Sequence, residues 1–175
     1  MRSYARFWQR VKAFVFDYFI ILGYLIVITI AGLLLRQYTD GFEWLFADRV
    51  RAQVTVFLIL TLPVSLYFAL GDASLKQGTR GKQRVGLKVE DQHGSQIGLG
   101  RSLLRAALKF IPWELSHTFL WEIAFTNGEP SALINYGYAF IYLLIGLNIA
   151  SVLMTKTKQS LYDLLAGTYV VQEQT

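Results

Sequence analysis

At 175 residues, 54% of them apolar and only 17% charged, the chain is poorer in charge than soluble domains, which carry about 25%, and reads as one integral membrane domain. It contains no cysteine, which excludes disulfides, thiolate metal sites and cysteine nucleophiles. The net charge of +5 suits basic residues facing a cytoplasm and anionic lipid, so nucleic acid is not expected as a partner.

The first apolar run, 13–35 (AFVFDYFIILGYLIVITIAGLLL), is long enough to cross a bilayer as one helix, and Asp17 is its only charge. A carboxylate at the centre of a span costs about 2.5–3.5 kcal/mol on insertion scales, and such residues mark a pathway or a specific partner. Arg10 stands seven residues earlier, on the same helix face and about 10 Å away along the axis. The run is too long for a signal-peptide core and ends without a small-residue cleavage site, so it is expected to be a retained first span.

The polar segment 36–52 leads to a second span, 53–70, which is uncharged and contains Pro63. A membrane helix carries such a proline when neighbours satisfy the freed carbonyl. The loop that follows, 71–101, is polar, glycine-bearing and basic. Within it RVGLKVE (84–90) alternates Val85, Leu87 and Val89 against Arg84, Lys88 and Glu90. With the turn Asp91-Gln92-His93-Gly94 and the run 95–99, this predicts a β-hairpin. The stretch Gly78-Thr79-Arg80-Gly81-Lys82 lacks the spacing of a phosphate loop. It reads as a tight turn with basic anchors, or as a nest for a lipid phosphate.

Residues 100–125 are helical in pattern but carry Arg101, Arg105, Lys109, Glu114, His117 and Glu122. The segment either lies on the membrane surface or crosses, over 102–125, as a polar-faced span kinked at Pro112. TNGEPS (126–131) is a turn. A charge-free span, 132–154, contains Asn135 and Asn148. In the tail, 155–175, the sequence LYDLLAGTYVV predicts a short helical turn, a glycine stop and a strand over 168–172.

Charge distribution favours crossing. With four spans and both ends inside, fourteen of the seventeen Lys and Arg residues lie inside or near the inner face, and only Arg36, Arg49 and Arg51 lie outside. With three spans the tail strand has no sheet to join. The expected fold is therefore an all-α multi-pass membrane protein: four transmembrane helices, cytoplasmic N and C termini, and a small cytoplasmic sheet of three strands.

Arg10, Asp17, Arg105 and Asp163 are the candidate ion, proton or substrate site. Asp163, just after the last span, can reach Arg10 and clamp the tail to the first helix. Charged, Asp17 can bind a cation; neutral, it can carry a proton, which is the chemistry an antiporter needs. Arg101, Arg105 and Lys109 recur every four residues and form one stripe. That stripe either snorkels to headgroups or supplies Arg105 as a partner for Asp17. Lys76, Arg80, Lys82, Arg84, Arg101 and Lys109 are the expected lipid-headgroup or phosphate contacts. Glu114, His117 and Glu122 continue a proton path outward if embedded, and are ordinary rim residues if exposed. The two histidines lie in separate segments, so no metal site is expected. No nucleophile elbow, HExxH or dinucleotide fingerprint is present, so neither enzyme nor cofactor is expected.

Three stretches, WQRVKAFVFD, QGTRGKQRVGLKVEDQHG and LYDLLAGTYVV, resemble the RDD family of membrane proteins in order and spacing. Arg10 and Asp17 match the family's arginine and first aspartate, and Asp163 matches the second. Tyr162 departs from the pattern, standing where many members carry histidine, and so removes one proton-titrating group. The resemblance implies a small multi-pass protein with a transport role, in some members the exchange of monovalent cations for protons. The expected function is movement of a small ion or solute across the cytoplasmic (inner) membrane. The alternative is a non-transporting adaptor or lipid-binding protein acting through the basic loop. Four helices enclose only a narrow path, so a homo-oligomer is expected.

Overall fold

The apolar run that opens the chain folds as one long helix in the computed structural model, which describes residues 2–126 and 131–173. This helix, α1 (Phe7–Tyr38), has 32 residues, about 48 Å at 1.5 Å per residue. Its buried residues are only Ala13 and Asp17; Phe19, Val27 and Leu33 all stand more than 60% exposed or close to it. A helix that turns its apolar side chains outward and its carboxylate inward is built for lipid, not water.

After the short α2 (Gly41–Leu45), a second long helix runs through α3 (Arg49–Val56), a π turn at Phe57–Thr61, and α4 (Leu62–Ala73). The π turn has a local cause. Pro63 has no N–H, so the carbonyl of Ile59, four residues back, loses its helical donor. The hydroxyl of Tyr24, on α1, donates to that carbonyl instead.

The loop then forms α5 (Arg80–Arg84), capped by Thr79, and β1 (Leu87–Glu90). Helix α6 (Leu99–Phe125) packs on α4, α7 (Ala132–Met154) and α8 (Leu161–Ala166), and β2 (Tyr169–Gln172) ends the described fold. Among the described residues, three helices are long and apolar enough to cross a membrane: α1, the composite Arg49–Ala73, and α7. Helix α6 is long enough, at 27 residues, but too charged to join them on composition. The turn expected over 126–131 lies, from 127 to 130, outside the described residues.

The expected three-stranded sheet is corrected to two strands. β1 pairs antiparallel with β2, Leu87 opposite Gln172 and Glu90 opposite Tyr169. Residues 95–99 form no strand and meet β1 only at a bridge between Glu90 and Gln96. Gly98 already caps α6, which leaves too short an extended run to pair. Arg84 likewise closes α5, so the strand starts three residues later than the alternation suggests. The other edge of β2 meets the amino-terminal segment, through a bridge from Tyr4 to Val171 and a hydrogen bond from the Ala5 N–H to the Val170 carbonyl at 2.9 Å. Ala5, Ala13, Leu87, Val89, Ile97 and Val170 form one small core there. The amino terminus, the loop and the tail therefore meet at one end of the helices.

Candidate functional site

Seven ionisable side chains gather at that end: Arg10, Asp17, Asp72, Lys82, Arg105, Lys109 and Asp163. The tail supplies the first fixed point. Ser160 caps α8, and Asp163 closes the capping box by accepting from the Ser160 backbone N–H and, at 2.8 Å, from its hydroxyl. The box fixes a fully buried carboxylate. Arg10 Nη1 donates to its Oδ2 at 2.6 Å and Arg105 Nε to its Oδ1 at 2.7 Å. Arg10 also donates from Nη2 to the Lys158 carbonyl at 2.6 Å, so one guanidinium ties α1 to the tail twice.

Arg105 is 3% exposed and joins two carboxylates. Its Nη1 donates to Asp72, at the end of α4, whose other oxygen takes the Lys82 ammonium. Asp17 is held differently. It accepts from the hydroxyls of Tyr67 and Thr79, both at 2.6 Å, and from the Gly81 N–H at 2.7 Å. Among the described residues it has no ion-pair partner. The Arg105–Asp17 pairing that the stripe suggested does not form, because Arg105 is engaged by Asp72 and Asp163.

Of the expected headgroup contacts, Lys76, Arg80, Arg84 and Arg101 are exposed. Lys82 is corrected to a buried residue, because its ammonium neutralises Asp72. Burial pushes that ammonium down to about 8, against the pull of Asp72. Lys109 also turns inward, with Nζ 3.3 Å from the centre of the Phe68 ring and the rings of Phe14 and Phe110 within 6 Å. Beside it opens a cavity of about 220 Å³, bordered by Phe14, Asp17, Arg105, Lys109, Asn148 and Tyr162 among others.

Glu114, His117 and Glu122 lie elsewhere. Glu114 is nine residues beyond Arg105, about 13 Å along α6. It accepts from Gln53 Nε2 of α3, while Glu122 pairs with Arg49. Glu114 Oε2, Gln53 Oε1, His117 Nδ1 and Trp121 Nε1 are buried with no hydrogen-bond partner among the described residues.

A clasp of Arg10 and two aspartates joining the first helix, the basic loop and the tail matches the motif order read in the sequence, and the chain matches the model of the RDD family over residues 4–167. The chain belongs to the RDD family. It is also 31% identical over 113 residues, 60% of this chain and 75% of the other, to the uncharacterized protein YxaI of Bacillus subtilis (strain 168). No solved structure matches it.

Several partners in this RDD site escape sequence reasoning. Ser160 is legible, since Ser-x-x-Asp is a capping-box signature. Asp72, directly after an uncharged span and ten residues before Lys82, is a weaker signal. Tyr67 and Thr79 carry none, because hydroxyls in a span or a turn are ordinary.

The clasp makes a pH prediction. Burial alone would raise the Asp163 carboxyl, but the Arg105 and Arg10 guanidiniums and the Arg10 and Ser160 hydrogen bonds outweigh it and hold the group below its ordinary 3.8. A carboxylate lowered by folding contributes stability that is present above its unfolded value and lost as the pH falls through the folded one. The RDD protein in detergent is expected to melt progressively earlier below about pH 4. Asp163→Asn should melt earlier at neutral pH and show a flatter acid limb. Acid limbs of equal steepness would show that Asp163 contributes nothing to the acid sensitivity.

Proposed function

We propose that this RDD protein spans the cytoplasmic membrane four times, with both termini inside, and moves a small monovalent cation in exchange for protons, as a homo-oligomer. Parity supports the four spans. The amino terminus contacts the tail through Arg10 and Asp163, and the loop contacts the tail through β1 and β2. If α1, Arg49–Ala73 and α7 each cross, α6 must cross as well, or the loop and tail would lie on opposite sides. Three of its charges are met within the protein, Arg105 and Glu122 by ion pairs and Glu114 by a hydrogen bond, and Lys109 rests on the Phe68 ring. The basic residues of the clasp end support a cytoplasmic position for it.

The observation that carries transport is Glu114. Asp72 and Asp163 each serve two cations, and Asp17 already accepts three hydrogen bonds. Glu114 keeps one buried oxygen without a partner, and so does Gln53, the side chain hydrogen-bonded to it. Two such oxygens at the depth of a helix bundle suit a weakly hydrated cation, and the carboxylate can take a proton in its place. The test is reconstitution into vesicles with sodium-, potassium- and pH-sensitive dyes. Wild type should exchange cation for proton, and Glu114→Gln should lose flux while melting normally. Asp17→Asn should melt earlier and lose flux only in proportion to the folded fraction. Equal flux in wild type and Glu114→Gln would overturn the role of Glu114. No flux from folded wild type would favour an adaptor acting through the exposed Lys76, Arg80 and Arg84.

A further inference from the structure

The clasp and the cavity beside it hold four cations, Arg10, Lys82, Arg105 and Lys109, but three carboxylates, Asp17, Asp72 and Asp163. Ion pairs account for three of the cations. Lys109 is the remainder: among the described residues no carboxylate lies within ion-pair reach of it, and it makes no hydrogen bond. Its ammonium sits on the Phe68 ring at the wall of the cavity. Arg105 and Asn148 border the same cavity. Arg105 donates only through Nε and Nη1, which leaves Nη2 free. Asn148 donates to the Leu144 carbonyl at 2.9 Å, but its Oδ1 is buried and unpartnered.

We propose that this cavity binds one anionic glycerophospholipid whose headgroup carries a hydroxyl. The phosphate lies between Lys109 Nζ and Arg105 Nη2 and supplies the missing negative charge. The headgroup hydroxyl donates to Asn148 Oδ1. A lipid is the occupant because the cavity is bordered by Phe14 of α1 and Ile149 of α7, which stand 48% and 40% exposed on two of the helices apolar enough to cross a membrane. α1 and α7 touch each other only lightly, so acyl chains can leave between them into the bilayer. Phe7, Val11 and Val152 give the walls the apolar surface that the glycerol backbone and first methylenes require. This lipid is distinct from the snorkelling contact expected of a surface lysine: it is bound between helices, in a site of defined chemistry, and it does not depend on whether the protein transports.

The test uses the full chain in a neutral detergent and counts bound lipid by native mass spectrometry, with thermal melting alongside. Phosphatidylglycerol should bind one per chain and raise the melting temperature, and phosphatidylcholine should do neither. Losing a charged hydrogen-bond partner costs about 1.5–3 kcal/mol, so Lys109→Gln should weaken phosphatidylglycerol binding about 10- to 150-fold. Lys109→Arg should retain it, and Lys76→Gln, which removes an exposed cation, should leave it unchanged. Should Lys109→Gln fail to fold, Ile149→Trp fills the cavity mouth and should abolish the tight lipid. Equal retention of phosphatidylcholine, unchanged binding in Lys109→Gln or Ile149→Trp, or an equal loss in Lys76→Gln would overturn the proposal. Glycerol phosphate binding as tightly as the lipid would also overturn it, by showing a site for a free solute. These readouts involve no flux, so they stand or fall apart from the exchange reading.

Discussion

Asp163→Ala is expected to lower the melting temperature of the detergent-solubilised protein by about 6–20 °C. Removing one partner of a buried pair costs about 3–5 kcal/mol, because the other charge stays buried and uncompensated. In a chain of this size each kcal/mol moves the midpoint by about 2–4 °C. Asp163 has two such partners, Arg10 and Arg105, and it also accepts from Thr168 and closes the α8 capping box. Arg10→Ala should cost less, since Asp163 keeps Arg105. The double variant Arg10→Ala/Asp163→Ala should melt later than the sum of the single losses predicts, because the pair is broken only once. Strict additivity would show that the two residues act independently and that the clasp is not the unit described.

Gly81→Ala should also lower the melting temperature. A Cβ at Gly81 would lie 2.1 Å from the Ala13 carbonyl oxygen and 2.7 Å from the Asp17 carboxylate. The first is backbone and cannot swing aside. α5 would have to lift off α1, breaking the Gly81 N–H to Asp17 bond and displacing Thr79, the second donor to the same carboxylate. Overpacking alone costs about 1–3 kcal/mol, and a buried carboxylate that loses its donors adds to it. Gly98→Ala is the matched control: a Cβ there meets nothing within 4 Å, and the melting temperature should hold. Equal behaviour of the two variants in thermal melts would mean that α5 does not press on α1 as described.

The sequence reads clearly where a feature is local. The first and last spans are long apolar runs, with Asp17 the only charge in the first and none in the last, and their helices follow. Asp17 was legible as a problem, a lone carboxylate in a span, but not as its solution. Tyr67, Thr79 and Gly81 reach it from 50 to 64 residues away, and none of the three looks polar enough to announce itself. The Arg10–Asp163 contact was legible because Arg10 stands just before the first apolar run and Asp163 just after the last one. Lys82 was not, because a basic residue after a span looks like a headgroup anchor until the fold brings Asp72 beneath it. The run 95–99 failed as a strand for a related reason: a few alternating residues are weak against a helix start at Gly98. α6 stayed ambiguous because composition counts its charges and cannot see that Arg105 and Glu122 are paired and Glu114 is hydrogen-bonded to Gln53.

The amino terminus, basic loop and tail are expected to share one membrane face. Single-cysteine labelling tests this directly, since the chain has no cysteine of its own. Thr39, Lys156, His93 and Ser131 are exposed positions in four different connections. In intact cells, a membrane-impermeant maleimide should label Thr39→Cys and Ser131→Cys, and should label His93→Cys and Lys156→Cys only after permeabilisation. Labelling of His93→Cys and Lys156→Cys from opposite sides would contradict the shared face, and with it the clasp, the crossing of α6 and the path through the bundle.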